Sequence, residues 1–202
     1  MPRTEEQNEI IRNERINNIL ISSLYLFANK GYDATTLDEI AKDAGCSHGL
    51  LYHYFKDKYT LYNHLVNEIA FPTARDSIIR INLNQKAKFV LREFFDALVK
   101  ELKSPNDQYC WAINLLISVE YSVVDGTKTI RVSKEKNDRI FQWISSIIER
   151  GKQEGDIPEN KSSTELTAMI ICLMKGMAYI RMKLGYKKFI CPDVGIIMDM
   201  VL

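Results

Sequence analysis

Residues 35–58, TTLDEIAKDAGCSHGLLYHYFKDK, leave a folding chain few options. Thr36 stands three residues before Glu39, so its hydroxyl can cap the third helical N–H while the Glu39 carboxylate reaches back to the cap residue. Leu37, Ile40, Ala41 and Ala44 recur at helical spacing and give a short helix one apolar face. Gly45 stops that helix, supplying the left-handed backbone that helix ends often need. Ser47 can cap a second helix, whose Leu50, Leu51, Tyr54 and Phe55 form its buried side. Asp57 is placed to cap the next one. Two short helices joined by a glycine-containing turn make a helix-turn-helix.

The faces left over suggest what such a unit can touch. With Leu51 and Phe55 inward, Ser47, His48, Gly49, Tyr52 and His53 lie outward around the first half of the second helix. Its unpaired N–H groups and positive end suit a phosphate-lined groove. Gly49 lets a backbone come close to another surface, and Tyr52 carries an O–H on a rigid arm. Lys56 and Lys58 follow. Any helical hairpin with a polar outer face shares part of this description.

The neighbouring residues narrow the choice. Phe27-Ala28-Asn29-Lys30-Gly31-Tyr32, Thr35-Thr36, Ile40-Ala41, Ala44-Gly45, Ser47, Gly49, Tyr52 and Phe55-Lys56-Asp57-Lys58 together resemble the N-terminal domain of TetR-family transcriptional repressors. The resemblance runs from about Ile10 to Leu65; the remainder matches in helix layout alone. It implies an all-α chain with a three-helix DNA-binding domain over residues 1–56. A helical effector-binding and dimerisation domain then spans 57–202, with the helix from about 57 to 71 as linker. Thr36, Tyr52 and Lys58 are expected on phosphates, with Thr35 and Lys56 beside them, while Ser47, His48, Gly49 and His53 face the major groove. The residue after the capping Ser is often a cation in the family; here it is His48, so the base preference is open.

Composition alone points elsewhere. The net charge is +1, and residues 1–60 hold seven Lys and Arg against nine Asp and Glu, a formal −2. The basic footprint of many DNA-binding domains is absent, so DNA contact has to rest on where the donors stand. Cys46, Cys110, Cys172 and Cys191 have neither zinc-knuckle nor redox spacing, which suggests free thiols in a reducing cytoplasm. Cys46, His48 and His53 are near in sequence but share no helical face, and no metal or other cofactor is expected. The polar, acid-rich start is unlike a secretory signal, and no apolar run approaches the ~20 residues of a bilayer span. No nucleophile elbow, phosphate loop or paired-carboxylate pattern suggests an enzyme. An all-helical adaptor without DNA binding is the alternative function.

Along the chain, residues 1–8 are expected to be a loose arm, followed by a helix from about Glu9 to Lys30. A fourth helix carries Leu61, Leu65 and Ile69 until Pro72 kinks or ends it. Further helices are expected at about 84–103, with Phe89 inside, at 109–124, 133–153, 162–184 and 194–202. The helix at 162–184 is apolar on most faces, as for one buried between its own domain and a second subunit. The resemblance implies a homodimer through this helix and the C-terminal segment, with Ala168, Ile171, Lys175 and Ala178 as candidate contacts. It also implies a small, largely apolar effector that lowers affinity for a palindromic double-stranded operator. Phe95, Trp111, Leu115, Tyr121, Trp143, Met174 and Met177 are the candidate lining, since aromatic and Met side chains make adaptable pockets. Ordinary core packing is the competing account of each.

Overall fold

The computed structural model describes residues 4–76, 81–121 and 134–202, with the side chains of 71, 75, 76, 118–121 and 134–139 left out. Every regular element among the described residues is helical. Helix α1 spans Glu5–Lys30 and starts earlier than the apolar period predicts. Thr4 and Gln7 form a capping box: Thr4 Oγ1 accepts from the Gln7 N–H at 3.2 Å, and Gln7 Oε1 from the Thr4 N–H at 3.1 Å. A polar cap can therefore extend a helix beyond its apolar stripe, and residues 5–8 are not a loose arm.

Helices α2 (Leu37–Asp43) and α3 (His48–Tyr54) make the helix-turn-helix. Both capping elements of α2 are present, and Lys30 Nζ adds a 2.8 Å bond to Glu39 Oε1. The Lys30 hydrogen bond, then that of the Thr36 N–H, holds the Glu39 carboxyl below its usual range. The turn is a Schellman arrangement. Gly45 has φ +64, its N–H donates to Lys42 O, and the Cys46 N–H donates to Ala41 O at 2.9 Å. A non-glycine residue would be strained at that φ. Leu51, Ile40, Ile19 and Phe27 are fully buried at the centre of the three helices.

Helix α4 (Lys58–His64) is capped by Asp57, whose Oδ1 accepts from the Thr60 N–H at 2.7 Å. It passes without a break into a π-helical segment, Leu65–Ala70, and then into α5 (Phe71–Asp76). Pro72 thus neither ends the helix nor sits in a regular α-ladder. A proline removes one N–H and crowds the preceding turn. The wider π turn immediately before it is where the ladder is re-spaced.

The C-terminal bundle comprises α6 (Ala87–Lys103), α7 (Gln108–Tyr121), α8 (Lys134–Gln153), α9 (Ser163–Leu184) and α10 (Val194–Val201). α7 is the hub, packing on α1, the π segment, α5 and α9. Helix α6 begins at Ala87 rather than Asn84 because α8 holds its approach. Arg150 donates to Leu83 O and Gln85 O, and Glu154 Oε2 accepts from the Ala87 N–H at 2.7 Å. Phe89, expected inside, is about half exposed, since the buried stripe of α6 runs through Val90, Leu91, Phe94, Phe95, Leu98 and Leu102. The Asp125-Gly126 break falls outside the described residues.

Among the described residues, Arg181 of α9 is the largest fully buried side chain. Its Nε donates to Leu102 O at 2.9 Å and one Nη to Ser104 O at 2.7 Å; that same Nη lies 2.7 Å from Asp107 Oδ1. The guanidinium therefore satisfies carbonyls at the C-terminal end of α6, which a helix leaves without intrahelical partners. Nothing in the sequence pattern marked it. Burial pushes the nearby Cys110 thiol up to about 11.

Helix α9 corrects one expectation. By length and composition its 22 residues could cross a membrane. Yet it packs against α7, α8 and α6, and Arg181 ties it to the α6–α7 connection. About a third of its apolar stretch is buried within this subunit, and the rest is the side that the sequence reading gives to a second subunit.

Candidate nucleic-acid interface

The residues around α3 fall into three groups. Ser47, His48, Gly49, Tyr52, His53 and Lys56 are all exposed, and Leu51 and Phe55 are buried beneath them. The face predicted from the sequence is therefore one surface. Ser47 Oγ caps α3 by accepting from the Leu50 N–H at 3.2 Å. Tyr52 is 45% exposed and makes an edge contact with His48, ring centres 4.5 Å apart. At Gly49 a Cβ would meet nothing within 4 Å, so packing within the chain does not demand glycine there.

Thr36 is also exposed, at the start of α2. Its hydroxyl accepts from the Glu39 N–H at 3.2 Å, and its N–H is held by Glu39 Oε2 at 3.1 Å.

Thr35 and Lys58 are differently occupied. Thr35 is fully buried, and its hydroxyl donates to Gly31 O at 2.7 Å and, more weakly, to Leu26 O. It braces the end of α1 and is withdrawn from the outer face. Lys58 Nζ donates to Tyr32 O at 2.9 Å and Thr35 O at 3.0 Å, and stands 4.3 Å from the centre of the Tyr32 ring. It pins α4 to the α1–α2 connection, so a phosphate contact would have to share an ammonium already committed. Sequence spacing places Thr35 beside the cap of α2 and Lys58 at the start of α4, but does not say which carbonyls they reach.

Two features of this surface had no counterpart in the sequence reading. His48 Nε2 lies 3.0 Å from Asp38 Oδ1, a carboxylate on the outer side of α2. A cavity of about 430 Å³ also opens between α1 and the turn, lined by Arg15, Asn18, Leu50 and the stretch from Ala44 to Ser47.

The residues assigned to an effector site are spread over α6–α9. Phe95, Leu115 and Met177 are buried in the core, while Trp111, Trp143 and Met174 are half buried. Trp111 stacks edge-on against Tyr25 of α1 at 5.2 Å, and Trp143 against Phe94 at 5.5 Å. The side chain of Tyr121 lies outside the described residues. Among the proposed dimer contacts, Ala168 is exposed, and Ile171 and Lys175 are half buried. Ala178 is fully buried within its own subunit and cannot meet a second one. It stands one residue from Tyr179 and two from Ile180, both about half exposed. Turning α9 by 100° per residue carries the side chain from the core to the outside.

Residues 19–65 match the family model described as bacterial regulatory proteins, tetR family. The HTH-type transcriptional regulator AcrR of Shigella flexneri is 26% identical over 91% of this chain and 87% of its own length. The biofilm operon icaADBC negative transcriptional regulator IcaR of Staphylococcus aureus is 42% identical over 48 residues, 24% of this chain and 26% of its own. Among solved structures, a putative transcriptional regulator from Saccharomonospora viridis in complex with choline superposes with a TM-score of 0.64. It is 19% identical, and 91% of each chain is covered.

Proposed function

We propose that the chain, whose residues 19–65 match the tetR family model, is a cytoplasmic repressor of that family binding a palindromic operator as a homodimer, released by a small molecule. One observation carries the reading: Ser47, His48, Gly49, Tyr52, His53 and Lys56 form an exposed face over buried Leu51 and Phe55. Tyr52, Thr36 and Lys56 position the phosphate backbone, and Ser47, His48, Gly49 and His53 meet base edges. Lys58 acts behind them by fixing α4. The likeness over the DNA-binding segment does not choose the sign of regulation, since it extends equally to the negative regulator IcaR and to the activator FasR of Mycolicibacterium smegmatis, each 42% identical.

Gly49 gives the sharpest test. Alanine there meets no atom within 4 Å and is the better helix former by about 1 kcal/mol. Gly49→Ala should therefore leave thermal stability equal or higher while weakening operator binding roughly tenfold, because the added methyl group faces the groove. Denaturation and fluorescence anisotropy read the two effects separately. Unchanged operator affinity would remove Gly49 from the interface.

A single short recognition helix buries too little for tight specific binding, so two are needed on a two-fold site. The dimer surface in this reading is the outer side of α9 and α10. It carries Ala168, Tyr179 and Ile180, then Ile196 and Met200, with Ile171 and Lys175 at its margin.

The effector is small and largely apolar, held near half-buried Trp111, Trp143 and Met174 over Phe95, Leu115 and Met177. The bound choline of the Saccharomonospora viridis protein supports a small-molecule site in this architecture. Trp111 touches Tyr25 of α1, so a ligand that moves it acts directly on the helix behind the DNA-binding unit. A coupling of about 1–3 kcal/mol would weaken operator binding roughly 5–150-fold, and linkage requires operator DNA to weaken effector binding by the same factor. Titrating apolar and cationic-amphiphilic compounds by tryptophan fluorescence, with and without operator, measures both arms. A tightly bound compound indifferent to DNA would contradict this account of regulation.

A further inference from the structure

The imidazole of His48 is held on two sides before any DNA arrives. Its Nε2 lies 3.0 Å from Asp38 Oδ1 across the α2–α3 angle, and its ring rests edge-on against Tyr52. An ionised carboxylate can only accept, so the hydrogen is fixed on Nε2, and Nδ1 is the nitrogen left for an outside partner. In the neutral ring that atom is an acceptor. The placement of Asp38 is otherwise adverse: it is 82% exposed beside the surface assigned to a polyanion, where its charge opposes every sequence alike.

We infer that Asp38 is a positioning residue for base recognition, holding His48 as an Nδ1 acceptor that favours an amino-bearing base edge, adenine N6 or cytosine N4. The inference rests on the reading of α3 as the DNA-binding element. It assigns to Asp38 a loss of overall affinity exchanged for selectivity at one base pair of each half-site. The donor edges follow from the major-groove pattern, in which only adenine and cytosine present amino groups.

The test is selection from a random duplex library at pH 8.5, using the full chain with Asp38, Asp38→Ala or Asp38→Asn. The unaltered protein should enrich adenine or cytosine at one position per half-site. Asp38→Ala should bind all sequences at least as tightly, yet lose about fivefold discrimination at that position alone, as expected for one oriented hydrogen bond. Asp38→Asn, whose carbonyl oxygen still accepts from Nε2, should keep most of the preference. Because Asp38 is a surface residue, all three proteins are expected to fold, and their melting curves check it. The inference is overturned if Asp38→Ala selects the same motif, or if discrimination falls evenly at every position, which is what mere support of α3 would give. Guanine or thymine at the His48-dependent position would overturn the acceptor assignment. Failure of the unaltered protein to select any motif would overturn the DNA reading itself along with the inference.

Discussion

Arg181→Ala will destabilise the protein by about 3–5 kcal/mol, the range found when one partner of a buried ionic contact is removed. Three oxygens lose their donor together: Leu102 O, Ser104 O and Asp107 Oδ1, all within 2.9 Å of the guanidinium. Two of them, Leu102 O and Ser104 O, belong to the end of α6 and the connection after it. Truncation also leaves a void where a fully buried side chain stood. Arg181→Met should cost less, because it refills the volume although it restores no donor. Urea denaturation at neutral pH reads the difference, and a loss below about 1 kcal/mol for the alanine variant would show that water replaces the guanidinium.

If the chain is the homodimer proposed above, Ile180→Asp will separate the two subunits and with them the affinity for a two-fold operator. Ile180 is half exposed on the outer side of α9, so the charge should harm dimerisation and leave the subunit's own core intact. Two linked half-site contacts exceed one by about 10²–10⁴-fold without any new interaction, and that factor is what a monomer forfeits. Sedimentation should show a monomer at micromolar concentration with the helical content unchanged, and anisotropy should show operator affinity reduced by that ratio. A variant that remains dimeric would move the interface elsewhere.

The helix-turn-helix was legible because each of its decisions is local. Thr36 with Glu39, Gly45, Ser47 and Asp57 state where helices begin and end, and they occupy those positions in the structure. The outward face of α3 was legible for the same reason, since a helix of known ends fixes which side chains point away from Leu51. What the pattern could not show were contacts made across sequence. Lys58 bonds to carbonyls 23 and 26 positions away, and Arg181 to carbonyls 77 and 79 away. No periodicity records such pairings, so Lys58 read as a free surface cation and Arg181 went unnoticed. Thr35 was misplaced by one step of the chain: its neighbour Thr36 caps α2 in solvent while Thr35 turns inward onto Gly31 O. Pro72 marked a real change in the backbone, but a helix can widen into a π turn instead of breaking.

Sequence-selective retardation tests the central claim most directly. The purified chain is mixed with genomic fragments at modest salt and an excess of non-specific competitor DNA, and the retarded fragments are sequenced. The account predicts a small retarded set sharing an inverted repeat, its half-sites centred a whole number of helical turns of about 10–10.5 bp apart. An all-helical adaptor would retard no fragment selectively, and that result would contradict the assignment of α3 to the major groove.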